Sequence, residues 1–126
     1  MIDEITLTIP RSREFQSVTH LVLGGIGVRL NLTIETLEDL QLALDAILER
    51  EREPGDVTIA IRLGPDEIET VVGPLRDGVR RELAHQREDE VGLRRILHTL
   101  VDGVEPEDRD GRLYVRLRKG VEGASA

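Results

Sequence analysis

Apolar residues follow two different spacings along the chain, and these spacings predict its first two elements. Alternation over residues 5–9 predicts a short strand, which stops at Pro10 because proline cannot donate to a strand ladder. Spacings of three and four residues then predict a helix that Ser12 can cap and that ends near Asn31. Its apolar face is predicted to consist of Phe15, Val18, Val22, Ile26 and Leu30.

The middle of the chain carries the most regular patterns. Thr33 is a candidate N-cap for a second helix, whose apolar residues repeat over 34–48 and which is predicted to run through residues 49–53 and stop at Pro54 and Gly55. Acidic residues lie near the positive end of its dipole. Residues 57–63 then alternate without interruption, and apolar residues return over 68–72. Because Gly-Pro-Asp separates the two runs, they predict a β-hairpin.

The pattern is weaker in the second half. Residues 73–90 are crowded with charges, which predicts a mobile or loosely docked helical segment. Helical spacing returns over residues 93–101, and Gly103 is placed to end that helix. A short strand over 104–107 and an alternating strand over 113–117 are predicted to follow.

This order of elements predicts an α+β fold, a two-layer α/β sandwich in which helices cover one face of a mixed or antiparallel sheet. The length of 126 residues fits one domain, assigned to residues 1–119. Residues 120–126 are predicted to form a flexible C-terminal tail. The arginines of the last strand, Arg112, Arg116 and Arg118, are expected on the wet face of an edge strand.

Composition excludes several classes of function. Seventeen Lys and Arg against 25 Asp and Glu give a net charge of −8, which repels a phosphate backbone and argues against nucleic acid as a partner. No cysteine is present, so thiol chemistry and thiolate zinc sites are excluded. The longest apolar run, residues 21–28, is too short to span a bilayer, which predicts a cytoplasmic protein with no membrane partner.

Two stretches carry a resemblance to a known family. They are LTIPRSREFQSVTHLVLGGIGVRLNLTIETLEDLQLALDAILE in the first half and LHTLVDGVE with DGRLYVRLRKG in the second. With the order of elements, they resemble the anti-sigma-factor serine kinases, a branch of the histidine-kinase-like ATPases, over about residues 5–119. The resemblance implies a Bergerat-type sandwich, a homodimer, and binding to a sigma factor that an anti-anti-sigma protein relieves.

The second helix departs from the family motif of a glutamate base followed four residues later by a magnesium-binding asparagine. Ala46 occupies the glutamate position and Arg50 the asparagine position. A methyl group cannot accept a proton, and a guanidinium repels Mg²⁺. A slipped alignment offers Asp45 and Glu49 as a carboxylate pair at the same spacing, whereas a solvated helix edge is the simpler interpretation of both.

The adenine and phosphate motifs of the family are also incomplete. Val71 occupies the position of the adenine-binding aspartate, Gly73 is retained, and Leu75 replaces the second glycine. The later phosphate box is reduced to Gly92 and the leucine after it. These glycines are either remnants of a nucleotide pocket or ordinary turn and helix-start glycines.

Glycines 24, 25 and 27 interrupt the first predicted helix, and each costs about 1 kcal/mol relative to Ala in a helix interior. Close approach of the helix to the sheet or to a second subunit would explain them, as would a kinked or frayed helix. The predicted contact of a homodimer is Val18, Val22, Gly25 and Ile26.

Three functional hypotheses follow. The preferred one is a degenerate anti-sigma-kinase-like regulator that acts by protein binding, needs no cofactor and uses no catalytic residue. Its partner would be a sigma factor or an anti-anti-sigma protein, and the acidic run over residues 49–53 is either a recognition surface for a basic partner or a solvated helix end. The alternatives are an active kinase with a rearranged site for ATP and Mg²⁺, and a structural partner of an intact paralogue.

Overall fold

The computed structural model describes residues 3–50, 54–84 and 92–121. They form five strands and four α-helices, with a 3₁₀ turn at Arg13–Phe15 before the first helix. In chain order these are β1 Asp3–Pro10, α1 Gln16–Leu30, α2 Ile34–Leu48, β2 Asp56–Leu63, β3 Glu67–Leu75, α3 Asp77–Ala84, α4 Leu93–Leu100, β4 Gly103–Arg109 and β5 Arg112–Gly120.

The sheet has the strand order β1-β2-β3-β5-β4, and all of its pairings are antiparallel. Its edges are therefore β1 and β4. The expectation that the arginines of the last strand belong to an edge strand is wrong, because β5 pairs with β3 on one side and β4 on the other. A β4 strand longer than expected, from Gly103 to Arg109, supplies that second partner.

The predicted α+β class and the two-layer arrangement are confirmed. Along β2 and β5 buried residues alternate with more exposed ones, so one face of the sheet meets the helices and the other is open. The core joins that inner face to α2 and α4 through aliphatic side chains, among them Leu44, Ile47, Leu97, Ile59 and Val115. Burial of such side chains is the main force that holds the two layers together.

The second helix begins where predicted, and Thr33 Oγ1 accepts a hydrogen bond from the Thr36 amide at 3.1 Å. Its predicted end at Pro54 is wrong, because α2 ends at Leu48 with Glu49 as its C-cap. Helix α1 also ends where expected, at Asn31, whose φ of 57° is the left-handed conformation that asparagine tolerates at a helix end. The face of α1 differs from the prediction. Its buried residues are Thr19, Leu23, Ile26 and Gly27, and Phe15 is exposed.

The charge-rich segment after β3 contains the short helix α3, which buries Val79 and Leu83. The rest of that predicted segment, residues 85–90, lies outside the described residues. The assignment of Gly103 as a helix end is wrong: α4 ends at Leu100 with Val101 as its C-cap, and Gly103 begins β4. Gly120 is the last residue of β5, while residues 122–126 of the predicted tail also lie outside the described part.

Candidate functional site

Arg50 connects the end of α2 to α3. Its Nη1 donates to the carbonyl oxygen of Ala46 at 2.7 Å, and its Nε lies 2.9 Å from Oε2 of Glu82. The guanidinium thus satisfies a carbonyl at the helix end and pairs with a carboxylate on α3. A shallow cleft of about 280 Å³ adjoins it, lined by Glu49, Arg50, Arg76, Gly78, Val79 and Glu82.

The two carboxylates of the slipped alignment face different surroundings. Nε2 of His20, on α1, lies 2.9 Å from both carboxylate oxygens of Asp45. Asp45 is therefore an ion-pair or hydrogen-bond partner of α1, while Glu49 is exposed and borders the cleft at Arg50. Ala46 between them is buried in the core.

Val71 and Gly73 lie on the open face of the sheet, away from the cleft at Arg50. Val71 pairs across the sheet with Ala60 and Arg116, whereas its neighbour Val72 pairs with core residues of β2 and β5. A Cβ at Gly73 would lie 2.5 Å from the ring of Tyr114, so the ring packs directly on this glycine. Gly73 is therefore required for close packing within the sheet.

The other two predicted positions lie on the helical side. Leu75 follows an irregularity in the pairing of β3 with β5 and is part of the hydrophobic core. Gly92 is the N-cap of α4, with open space where its Cβ would be. The structure thus places Ala46, Arg50, Leu75 and Gly92 on the helical side of the sheet, and Val71 and Gly73 on the opposite side.

The open face carries a chain of alternating charges that crosses all five strands. Arg62 lies 3.8 Å from both Glu4 and Glu69, and Arg116 in turn pairs with Glu69 and with Glu107, the latter at 2.8 Å. The hydrogen bond from Arg116 lowers the pKa of Glu107 below its usual value. Each central charge on this face therefore has a partner within the sheet.

The surface of α1 is unusually apolar for a helix at the edge of the structure. Leu21 is 76% exposed and Val28 is 82% exposed, and Gly25 lies between them on the same face with open space around it. Of the predicted dimer residues only Gly25 is exposed. Ile26 belongs to the core of the subunit, and Val18 and Val22 pack against that core.

The described residues include neither a metal-binding cluster nor a membrane-spanning helix. Residues 3–50, 54–84 and 92–121 contain no group of three or more His, Cys, Asp or Glu side chains that could hold a metal ion. Within the same ranges, no helix is both long enough and apolar enough to cross a bilayer.

Sequence reasoning missed the contacts that join distant segments. It assigned no chemistry to His20, which pairs with Asp45, and it did not find Glu82 or Lys119. For Glu82 alone the sequence gave a partial indication, because the helical spacing of Val79 and Leu83 predicts a helix that includes Glu82. Nothing in the sequence indicated which residue in α2, or just after it, each of these side chains would meet.

Comparison with known proteins identifies a class of relatives. No protein-family model matches the chain. Individual serine-protein kinases do, with weak homology at 26–30% identity, and they confirm the resemblance found in the sequence. They carry the name RsbW.

The matches cover different parts of the chain. Serine-protein kinase RsbW of Listeria innocua is 30% identical over 79 residues, which is 57% of this chain and 50% of the relative. The protein of the same name from Listeria monocytogenes serovar 1/2a matches equally, and that of Halalkalibacterium halodurans is 26% identical over 86% of this chain and 78% of the relative. The chain spans about half the length of the Listeria relatives that it matches.

Proposed function

We propose that this protein is a regulator related to the RsbW serine-protein kinases that acts by binding other proteins, without binding ATP or transferring phosphate. The observation that carries the proposal is the position of Arg50. Its guanidinium joins the Ala46 carbonyl to Glu82, at the helix position where the family motif requires a neutral oxygen ligand for Mg²⁺.

The residues present do not fit a magnesium nucleotide. Mg²⁺ prefers carboxylate, carbonyl and water oxygens, and a fixed cation beside it raises the free energy of binding. Ala46 offers only a carbonyl, which Arg50 already engages, and Asp45 is directed to His20. The other described carboxylate at this end of α2 is that of Glu49, the C-cap residue, which is exposed.

The partner of such a regulator is a protein. The family resemblance implies a sigma factor or an anti-anti-sigma protein, and the protein would act in the cytoplasm, where transcription is controlled. The net charge of −8 favours a partner with a basic surface.

A homodimer is the second part of the proposal. The exposed stripe of Leu21, Gly25 and Val28 on α1 would be covered in a symmetric contact, in which glycine permits close helix approach. Because nothing lies within 4 Å of a Cβ at Gly25, Gly25→Leu leaves the subunit undisturbed and should shift the dimer towards monomer. Light scattering tests this, and a wild-type protein that is monomeric at high micromolar concentration contradicts the dimer.

The protein-binding proposal is tested by capturing partners of the tagged protein from its native cell and rebuilding each complex from purified components. Complex formation is then measured with and without Mg-ATP, and the partner is analysed for phosphoserine. We expect equal affinity in both conditions and no phosphorylation. A complex that forms only with Mg-ATP, or a phosphorylated partner, would instead support the active-kinase alternative.

A further inference from the structure

The described helices do not fully cover the edge strand β4. Val104, Pro106 and Asp108 lie on its helical side, because they pair with the inward-facing residues of β5, which are Leu117, Val115 and Leu113. A residue at such a position is normally buried. Here Val104 is only half-buried, and Pro106 and Asp108 are exposed.

The uncovered part of β4 forms the floor of a cleft of about 410 Å³. On α3, Leu83 and Ala84 follow Arg80 by three and four residues, so all three lie on the helix face that lines the cleft. On α4, Arg94 and His98 are one turn apart and line the cleft from the second helix. The full lining is Arg80, Leu83, Ala84, Arg94, His98, Val104, Pro106 and Asp108. The cleft therefore has an apolar base and basic side chains at its rim.

The charges at the rim differ in their pairing. Arg80 is neutralised by Asp108, with which its two terminal nitrogens form hydrogen bonds, and this contact lowers the pKa of Asp108. Arg94 has no hydrogen-bond or ion-pair partner in the described part of the chain, and neither has the exposed His98. The described residues that line the cleft thus carry a net positive charge, within a protein whose overall charge is negative.

The position of Arg94 is unfavourable for the helix that carries it. It lies in the first turn of α4, which contains no acidic residue, and a cation there opposes the helix dipole. Helix stability therefore does not explain an arginine at this place. An anion bound in the cleft would explain it.

We propose that this cleft binds an acidic peptide segment of a partner protein. An aliphatic side chain of the segment packs on Leu83 and Val104, and a neighbouring carboxylate pairs with Arg94. The inference rests on the proposed function only in assuming that the ligand is a protein. A cleft of this volume holds two or three side chains, which suits a short linear segment.

The test uses the full chain labelled with ¹⁵N and a blocked six-residue peptide of alternating Glu and Leu. Two control peptides replace Glu with Gln or Leu with Ser, and inorganic phosphate serves as a simple anion. We expect saturable amide shifts confined to α3, α4 and β4 with the Glu-Leu peptide. Equal binding of either control peptide, shifts spread over the whole sheet, or the same shifts with phosphate alone would overturn the proposal.

Arg94→Glu should weaken binding of the Glu-Leu peptide at least tenfold, because it replaces attraction by repulsion. Glu is favoured in a first helical turn, so the variant should remain folded. Arg13→Glu makes the same charge change in an exposed residue close to β1, at the opposite edge of the sheet, and should alter affinity less than twofold. Equal affinities of the two variants would refute the assignment of Arg94.

Failure of this binding site and failure of the proposed function would give different results. If purified partners bind and Arg94→Glu has no effect on them or on the peptide, the regulator proposal stands and this site does not. If the Glu-Leu peptide binds through Arg94 while Mg-ATP supports phosphorylation of a partner, the site stands and the proposed function falls.

Discussion

Lys119 joins three elements and offers the sharpest test of how the two layers are held together. It is the only lysine in the chain and lies on β5. Its Nζ is 3.0 Å from Oδ2 of Asp39 on α2 and 2.8 Å from the carbonyl oxygen of Leu100 at the end of α4. A compact ammonium with three donors suits this three-way contact better than a planar guanidinium would.

Lys119→Met removes the charge and keeps an unbranched side chain. The Lys119 side chain is 16% exposed and that of Asp39 is 26% exposed, so solvent screens the pair only in part. Hydrogen bonds to charged groups contribute about 1.5–3 kcal/mol, and partial exposure places the expected loss of unfolding free energy at about 2 kcal/mol. For a domain of this size that corresponds to a fall in Tm of roughly 5–10 °C.

Urea unfolding of the wild type, Lys119→Met, Asp39→Asn and the double variant measures the loss and the coupling between the two side chains. We expect a coupling energy of about 1 kcal/mol. Arg112→Met is the matched control, because Arg112 is an exposed cation at the start of the same strand, and it should change stability by less than about 0.5 kcal/mol. A Lys119→Met variant as stable as this control would refute the reasoning.

Three further predictions concern other parts of the fold. Gly73→Ala should destabilise the protein by about 1–3 kcal/mol, because the added Cβ would overlap the Tyr114 ring. Gly24→Ala should instead stabilise it by up to about 1 kcal/mol, because Gly24 lies in a helix interior with open space around its Cβ position. Equal effects of the two variants on Tm would contradict this contrast. Glu107→Gln should lower stability at neutral pH only. The folded pKa of Glu107 lies below its ordinary value of 4.5, so its contribution to the free energy of unfolding is present above pH 4.5 and is lost as the pH falls through the folded pKa. A difference in stability from the wild type that persists in strong acid would refute this. Hydrogen exchange should be faster in α3 than in α2, because α3 buries only two side chains, and equal protection would show that α3 is a fully packed element.

Local patterns predicted most of the elements because their causes are local. The period of two in β2 and the cap at Thr33 depend on residues close in sequence, and both formed as expected. The face of α1 was predicted in part, since Ile26 is buried and Val18, Val22 and Leu30 pack against the core. Thr19 and Gly27 are buried there as well, and neither is an apolar signal. Leu21 and other apolar residues of α1 are exposed instead.

The candidate site depended on contacts that sequence spacing cannot supply. The sequence predicted that Arg50 takes the place of a metal ligand in the family motif, but the bond of Arg50 to Glu82 depends on the position of α3 relative to α2. Likewise, Val71, Gly73 and Leu75 were treated as one nucleotide motif in the sequence. Strand pairing places Val71 and Gly73 on the open face of the sheet, whereas Leu75 belongs to the core on the helical side. Pairing of distant strands sets that orientation, and it is decided by the whole sheet.

Calorimetric titration of the full chain with Mg-ATP, supported by thermal melts at the same concentrations, tests whether the protein binds nucleotide. A ligand present at a hundred times its dissociation constant would add about 2.7 kcal/mol to the stability of the folded state, which is easily measured. We expect no saturable heat and no rise in Tm at millimolar Mg-ATP beyond that of a salt control, because in the proposed alignment with the family motif Arg50 takes the place of the metal ligand and is bound to Glu82 and to the Ala46 carbonyl. Saturable binding of Mg-ATP with a matching rise in Tm would contradict it.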